Sequence, residues 1–266
     1  MSDFATGDLV VCAALSAAAV AVLMVATWLI GRSIGRYNVI DTTWGLGFVV
    51  VAVVAFASSV GDGDPTLRAV MLAIVAIWGT RLAVYLAWRS RGKGEDRRYA
   101  LMFERAEDSV ARYAAVHVFV PQGVAMWFIS LPVQVAMFQR APGVIVPMVG
   151  VGVWAVGLGF ESIGDRQLSR FVADPGHRGQ VMDRGLWRFT RHPNYFGDAC
   201  VWWGIFLVAC GQWQGLLTIG SPILMTWTLV AKTGRPMLEH EMEARRPGYA
   251  SYVRRTSGFV PLPPRS

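Results

Sequence analysis

Charge is what this chain has least of. Only 16% of its 266 residues are Asp, Glu, Lys or Arg, against roughly a quarter in an ordinary soluble domain, so water is not its main solvent. Cysteine is scarce as well: Cys12, Cys200 and Cys210 stand singly in apolar stretches, without the paired spacing of a disulfide framework or a zinc site. The four histidines, His117, His177, His192 and His240, are scattered along the chain, and no His-Cys cluster points to a metal. No period of roughly 20 to 50 residues repeats, which argues against a solenoid or array. No stretch has the composition of a separate soluble domain, and residues 1–266 read as one integral membrane domain.

Apolar residues make up 54% of the sequence, and the mean hydropathy is +0.40. A helix needs about 20 apolar residues to cross the hydrocarbon core, and Leu9–Ile30 supplies such a run with no charge inside it. That run is too long for a signal-peptide core, and Asp3 and Asp8 stand where a basic leader would be, so it reads as a retained first span. Further spans are expected at Val39–Val60, Leu67–Trp88, Tyr113–Phe138, Val144–Phe160, Phe196–Cys210 and Leu216–Ala231. The expected fold is therefore all-α, a polytopic bundle of about seven transmembrane helices.

The net charge of +7 and pI near 9.8 would raise nucleic acid as a partner in a soluble protein. Here the placement of the charges explains them without one. Alternate connections hold Arg32 and Arg36, then the run from Arg89 to Arg112, then Arg166 to Arg191, then the tail from Lys232 onward; the other set holds only Arg68 and Arg140. Basic residues gather in cytoplasmic loops, which sets the N-terminus outside, the C-terminus inside and the span count odd. Arg81 is the single basic residue left over, in the middle of the third span, and Asp41 raises the same question at the start of the second. Arg81 faces a partner or aqueous cavity, or snorkels to the interface. Asp41 lies where it could approach Arg81 in the inner leaflet, as a structural salt bridge or as part of a site.

Two polar connections, Arg89–Arg112 and Ser162–Asn194, exceed the length of simple turns and are candidates for function. The second carries Leu168, Phe171, Val181, Leu186, Trp187 and Phe189, enough apolar surface for a folded cap over the helix ends. It leads into Arg191-His192-Pro193-Asn194-Tyr195-Phe196-Gly197-Asp198. Pro193 can open a helix without losing a needed donor, which puts Asn194 and Asp198 on one face beside backbone N–H groups suited to an anion. Glu161 and Asp165 share a face by the same spacing, although a Glu at a helix end needs no special task. The arginines of this side have the planar fork that grips phosphate; for any one of them, contact with lipid headgroups is the plainer explanation.

The segment Leu186–Asp198, followed by Glu239, Tyr249, Tyr252, Arg254, Arg255 and Pro261, resembles the steroid 5-alpha-reductase superfamily. Within it the chain is most similar to the bacterial membrane proteins of the DUF1295 family, from the Asp41 segment to the C-terminus. The resemblance implies a reductase of the bacterial cytoplasmic membrane. It would take NADPH from the cytosol and reduce an activated carbon–carbon double bond in a lipid-like substrate, with membrane lipids as its other partners. It further implies that Asn194 and Asp165 bind the cofactor and that Arg170 contacts phosphate, while Asp198 stands where the steroid enzymes carry Glu. Glu161, Arg191, His192, Tyr195, Glu239, Tyr249 and Arg254 complete the expected cofactor set, His192 also being suited to loop packing and the tail residues to pinning the tail.

Asp41, Tyr85 and Asp198 are the candidates for stabilising an oxyanion or supplying a proton, with Tyr85 equally suited to packing at an interface. Trp78 stands three residues before Arg81, where the steroid enzymes carry Tyr, and an indole donates a hydrogen bond without being a useful acid; this argues against a 3-oxo-steroid. Isoprenylcysteine and phospholipid methyltransferases carry a similar Arg-His-Pro-x-Tyr element. An S-adenosylmethionine-dependent methyltransferase of a lipid or prenylcysteine is therefore the main alternative, and a non-catalytic lipid-binding protein the second.

Overall fold

A computed structural model describes residues 5–232 and 248–265. In chain order the elements are α1 (Thr6–Ile34), α2 (Val39–Ser58), α3 (Pro65–Ser90), the short α4 (Arg97–Phe103), α5 (Val110–Ala136), α6 (Ile145–Ala173), α7 (Pro193–Ala209), α8 (Trp213–Ala231) and α9 (Tyr249–Arg255). Among the described residues, six of these are long and apolar enough to cross a membrane: α1, α2, α3, α5, α6 and α8. The apolar helix α7 has 17 residues, about 25 Å at a rise of about 1.5 Å per residue, somewhat short of a hydrocarbon core of roughly 30 Å.

Local chemistry sets the helix ends. At α1 the chain turns off through Gly35 at φ 67°, the left-handed geometry that glycine adopts freely. The Asp64 side chain accepts from the Leu67 backbone N–H at 2.8 Å, with Pro65 at the first helical position. In α5 a π-helical stretch over Ala115–Phe119 precedes Pro121, where proline's missing N–H interrupts the α-helical ladder.

The largest departure from the sequence expectation concerns α6. The polar stretch after Phe160 is not a loop: the helix runs on for 29 residues to Ala173. Nothing between Ser162 and Ala173 breaks a helix, and it stops where Asp174 and Pro175 follow. Glu161, Asp165 and Arg170 therefore ride on a rigid element.

The chain divides into two compact units, Met1–Pro147 with Ile205–Ser221, and Met148–Gly204 with Pro222–Ser266. In the first, α2 and α3 meet at Gly45 and Gly79, where a Cβ on either would strike the other's carbonyl oxygen; small residues of this kind let helix backbones approach closely. One end of this unit is tied by Arg68, which donates to Ser59 Oγ at 2.8 Å and to the Phe56 carbonyl at 2.6 Å. There too Arg140 pairs with Asp62 at 3.0 Å. Those two arginines are the ones that the charge pattern set apart.

In the second unit, α6 and α7 pack through Gly157 against Gly197 and through Gly150 and Trp154 against Gly204, again with no room for a Cβ. Phe171, Met182 and Trp187 form a small buried cluster with Leu168 packed against it. Phe189, expected among these packing residues, is exposed instead. The last residues run back beside the motif: Thr190 bridges Ser257, and the Arg191 N–H donates to the Ser257 carbonyl at 2.9 Å.

Candidate functional site

In the second unit the site is built from facing stretches of α6 and α7. Pro193 takes the first position of α7, as its fixed φ favours. A Cβ on Gly164 would lie within 3.4 Å of the Pro193 ring and the Asn194 backbone N, so the glycine lets the start of α7 settle against α6. The result is that Asn194 Nδ2 donates to Asp165 Oδ1 at 3.3 Å, across 29 residues of sequence.

Asp198 follows one turn after Asn194, and Glu161 precedes Asp165 by one turn. Glu161, Asp165 and Asp198 are 3%, 4% and 9% exposed, so three acids are buried within one helix pair. His192 is buried and stacks on Tyr195 with ring centroids 5.3 Å apart. Buried Arg191 donates from Nη1 to the Val253 carbonyl at 3.1 Å, a contact that ties α9 to the motif. Tyr249 is buried beside Tyr252, whose hydroxyl donates to the Trp187 carbonyl at 2.5 Å. Arg170 and Arg254 are exposed. Glu239 lies outside the described residues.

In the first unit the expected approach of Asp41 to Arg81 does not occur. Asp41 Oδ2 instead accepts from Arg98 Nη2 at 3.0 Å and Oδ1 from the Tyr99 hydroxyl at 2.6 Å. Distance along the chain hid this pairing, because Arg98 and Tyr99 belong to the connection after α3. Arg98 also grips Asp96 at 3.0 Å. Burial alone would raise the Asp96 carboxyl, but the hydrogen bonds and charge of Arg98 outweigh it and hold it below its usual range. Burial, and then the Asp41 carboxylate, push the Tyr99 hydroxyl well above its ordinary value, so it stays a donor.

Glu95 completes the fastening by accepting the backbone N–H groups of Tyr37 and Asn38, at 2.5 and 2.9 Å. None of Glu95, Asp96, Arg98 or Tyr99 was singled out from sequence. The signal that could have found them is the acidic pair Glu95-Asp96 set directly before the basic pair Arg97-Arg98. Arg81 is half-buried, its guanidinium 6.0 Å from the Tyr85 ring centroid, and Tyr85 lies 6.3 Å from Trp88. Trp78 is fully buried against Phe48, ring centroids 5.6 Å apart.

Residues 27–256 match the family described as "Protein of unknown function (DUF1295)". The chain belongs to the DUF1295 family. No curated protein and no solved structure matches it. The DUF1295 match begins within α1 and ends just after α9. It therefore takes in both polar centres, the Asp41 network and the acid-rich face of α6 and α7.

Proposed function

We propose that this DUF1295 protein is a membrane reductase of the steroid 5-alpha-reductase superfamily, using NADPH to reduce an activated carbon–carbon double bond in a lipid-like substrate. In this reading α7 is a seventh span, the N-terminus lies outside and the C-terminus inside, and the face bearing the motif meets the cytosol. The observation that carries it is the hydrogen bond between Asn194 and Asp165, the two residues that the resemblance assigns to the cofactor.

The donor set suits such a cofactor. The carboxylates of Glu161 and Asp165 would accept from ribose hydroxyls and a carboxamide NH2, groups that carry donors and no negative charge. Phosphates need cations, and Arg170 and Arg254 offer exposed guanidiniums in the same unit. NADPH when bound supplies the hydride. The chain's part is to orient and to exclude water: the glycine contacts hold α6 and α7 rigid, and burial strengthens each polar contact. Asp198, buried one turn from Asn194, is the group in this unit for moving a proton, and Tyr85 is the candidate in the other. Asp41, with both oxygens engaged by Tyr99 and Arg98, acts as a positioning residue.

The test is a titration of purified protein in detergent with NADPH and, separately, with S-adenosylmethionine. NADPH should bind saturably, and Asn194→Ala should weaken it about tenfold, the worth of a charge-assisted hydrogen bond. Saturable binding of the methyl donor with none of NADPH would overturn the reductase and favour the methyltransferase.

A further inference from the structure

A pocket of about 440 Å³ lies in the second unit, away from the acid-rich helix face, where the turn before the motif meets the end of α9. Arg184, Arg188 and Arg255 line it together with Asp183 and Thr256. Three arginines and one acid line it, and Asp183 is engaged with Arg255 at 2.7 Å. The positive-inside rule explains how many arginines a face carries. It does not explain why three of them surround one concavity, where like charges repel unless an anion joins them.

The walls are fixed before any ligand arrives. Leu186 N–H donates to Gln167 Oε1 at 3.0 Å, the Tyr252 hydroxyl to the Trp187 carbonyl at 2.5 Å, and Arg265 N–H to the Arg255 carbonyl at 2.9 Å. The arginines standing on this braced backbone are exposed, and each carries the planar fork that grips phosphate oxygens.

A second observation says what carries the phosphate. Leu262 N–H donates to the Phe189 carbonyl at 3.0 Å, which sets these two residues side by side next to the arginines. Their side chains are not packed: Phe189, Val260 and Leu262 are 41%, 51% and 49% exposed. Apolar groups beside a cationic pocket match a membrane surface, where acyl chains meet the former and headgroup phosphate the latter. A soluble phosphate compound would have no use for them.

We propose that this pocket docks the phosphate-bearing headgroup of an anionic phospholipid, with Arg184, Arg188 and Arg255 on the phosphate and Phe189, Val260 and Leu262 at the acyl boundary. The site is independent of the cofactor reading and stands or falls without it.

Native mass spectrometry of the full chain in detergent, titrated with phosphatidylglycerol, phosphatidylcholine and inorganic phosphate, tests this. Phosphatidylglycerol should bind about tenfold tighter than phosphatidylcholine. Arg184→Gln with Arg188→Gln should abolish that preference, whereas Arg178→Gln, an exposed arginine of the same unit outside the pocket, should leave it. An unchanged thermal midpoint shows each variant folded; Phe189→Ser, which touches neither charge nor backbone bonding, gives a second route and should weaken phosphatidylglycerol while leaving inorganic phosphate unchanged. Equal binding of the two lipids, or a preference that survives the double substitution, would overturn the site. Inorganic phosphate binding as tightly as phosphatidylglycerol would overturn the lipid as its ligand.

Discussion

Two polar centres in this protein, one half-buried and one buried, use carboxylates in different ways. At the start of α2, Asp41 meets a cation and a hydroxyl, and a second acid, Asp96, shares the same Arg98. Positive and negative groups alternate there, and each closes a connection onto a helix end. On α6 and α7 the pattern is concentration: Glu161, Asp165 and Asp198 are buried within one helix pair, with Asn194 bonded to Asp165. Alternation is what a fastening needs, because it neutralises charge at short range. Burying three carboxylates within one helix pair costs free energy even where each has partners, and natural proteins retain such costs mainly at functional sites. Two acids that the sequence set in different roles, Asp41 as a catalytic candidate and Asp165 as a cofactor ligand, thus sit in different surroundings: Asp41 within the fastening, Asp165 on the acid-rich helix face.

The largest expected effect divides the two directly. Asp165→Ala should weaken NADPH binding by on the order of 30-fold or more, since it removes a buried acceptor and strands the Asn194 amide. Asp41→Asn should leave NADPH affinity within about twofold and lower turnover through position alone. Isothermal titration of both variants checks this. If Asp41→Asn abolishes cofactor binding and Asp165→Ala does not, the assignment of the two centres is reversed.

Stability should divide the other way. Arg98→Met leaves Asp41 and Asp96 without their shared cation, and because Arg98 is 31% exposed the loss is tempered by solvent to about 1–2 kcal/mol. A fall in the thermal midpoint with NADPH affinity preserved is the expected result. An unchanged midpoint would mean that the connection after α3 is held by Glu95 without help from Arg98.

The fastening should also loosen in acid. The Asp96 carboxyl is held below its unfolded value by Arg98, so its contribution is full above the ordinary Asp pKa of about 4. That contribution is lost as pH falls through the lower folded value. Hydrogen exchange over residues 91–99, corrected for intrinsic rates, should show protection holding from pH 7 to about 4 and declining below. Protection already lost near pH 6 would assign the fastening to a different titrating group.

How much of this was legible in advance follows from the range of the interactions. Apolar runs disclosed the helices, since each needs only its own residues, and the spacing of Asn194 after Pro193 disclosed the start of α7. What stayed hidden depended on contacts distant in sequence: Asp41 with Arg98, 57 residues on, and Arg191 with Val253, 62 residues on. The extension of α6 to Ala173 was missed for another reason. Ser162–Ala173 is polar, and polarity was read as a loop although nothing in it breaks a helix. Phe189 was assigned to a core on hydrophobicity alone, when its neighbours left it exposed.

The smallest expected effect isolates a single bond of the fastening. Tyr99 is buried, and its hydroxyl donates to Asp41 at 2.6 Å while its ring lies 6.2 Å from that of Phe103. Tyr99→Phe keeps the ring and deletes only the donor, leaving Asp41 still paired with Arg98, so the cost should be about 0.5–1.5 kcal/mol. Arg98→Met and Tyr99→Phe act on the same carboxylate, so their effects should not add. The double variant should lose more than the sum of the two, because half-buried Asp41 would then have neither partner. Thermal unfolding of the four proteins in detergent measures this coupling. Strict additivity would mean that the two bonds stabilise the fold separately, and that Asp41 is not the centre on which the fastening turns.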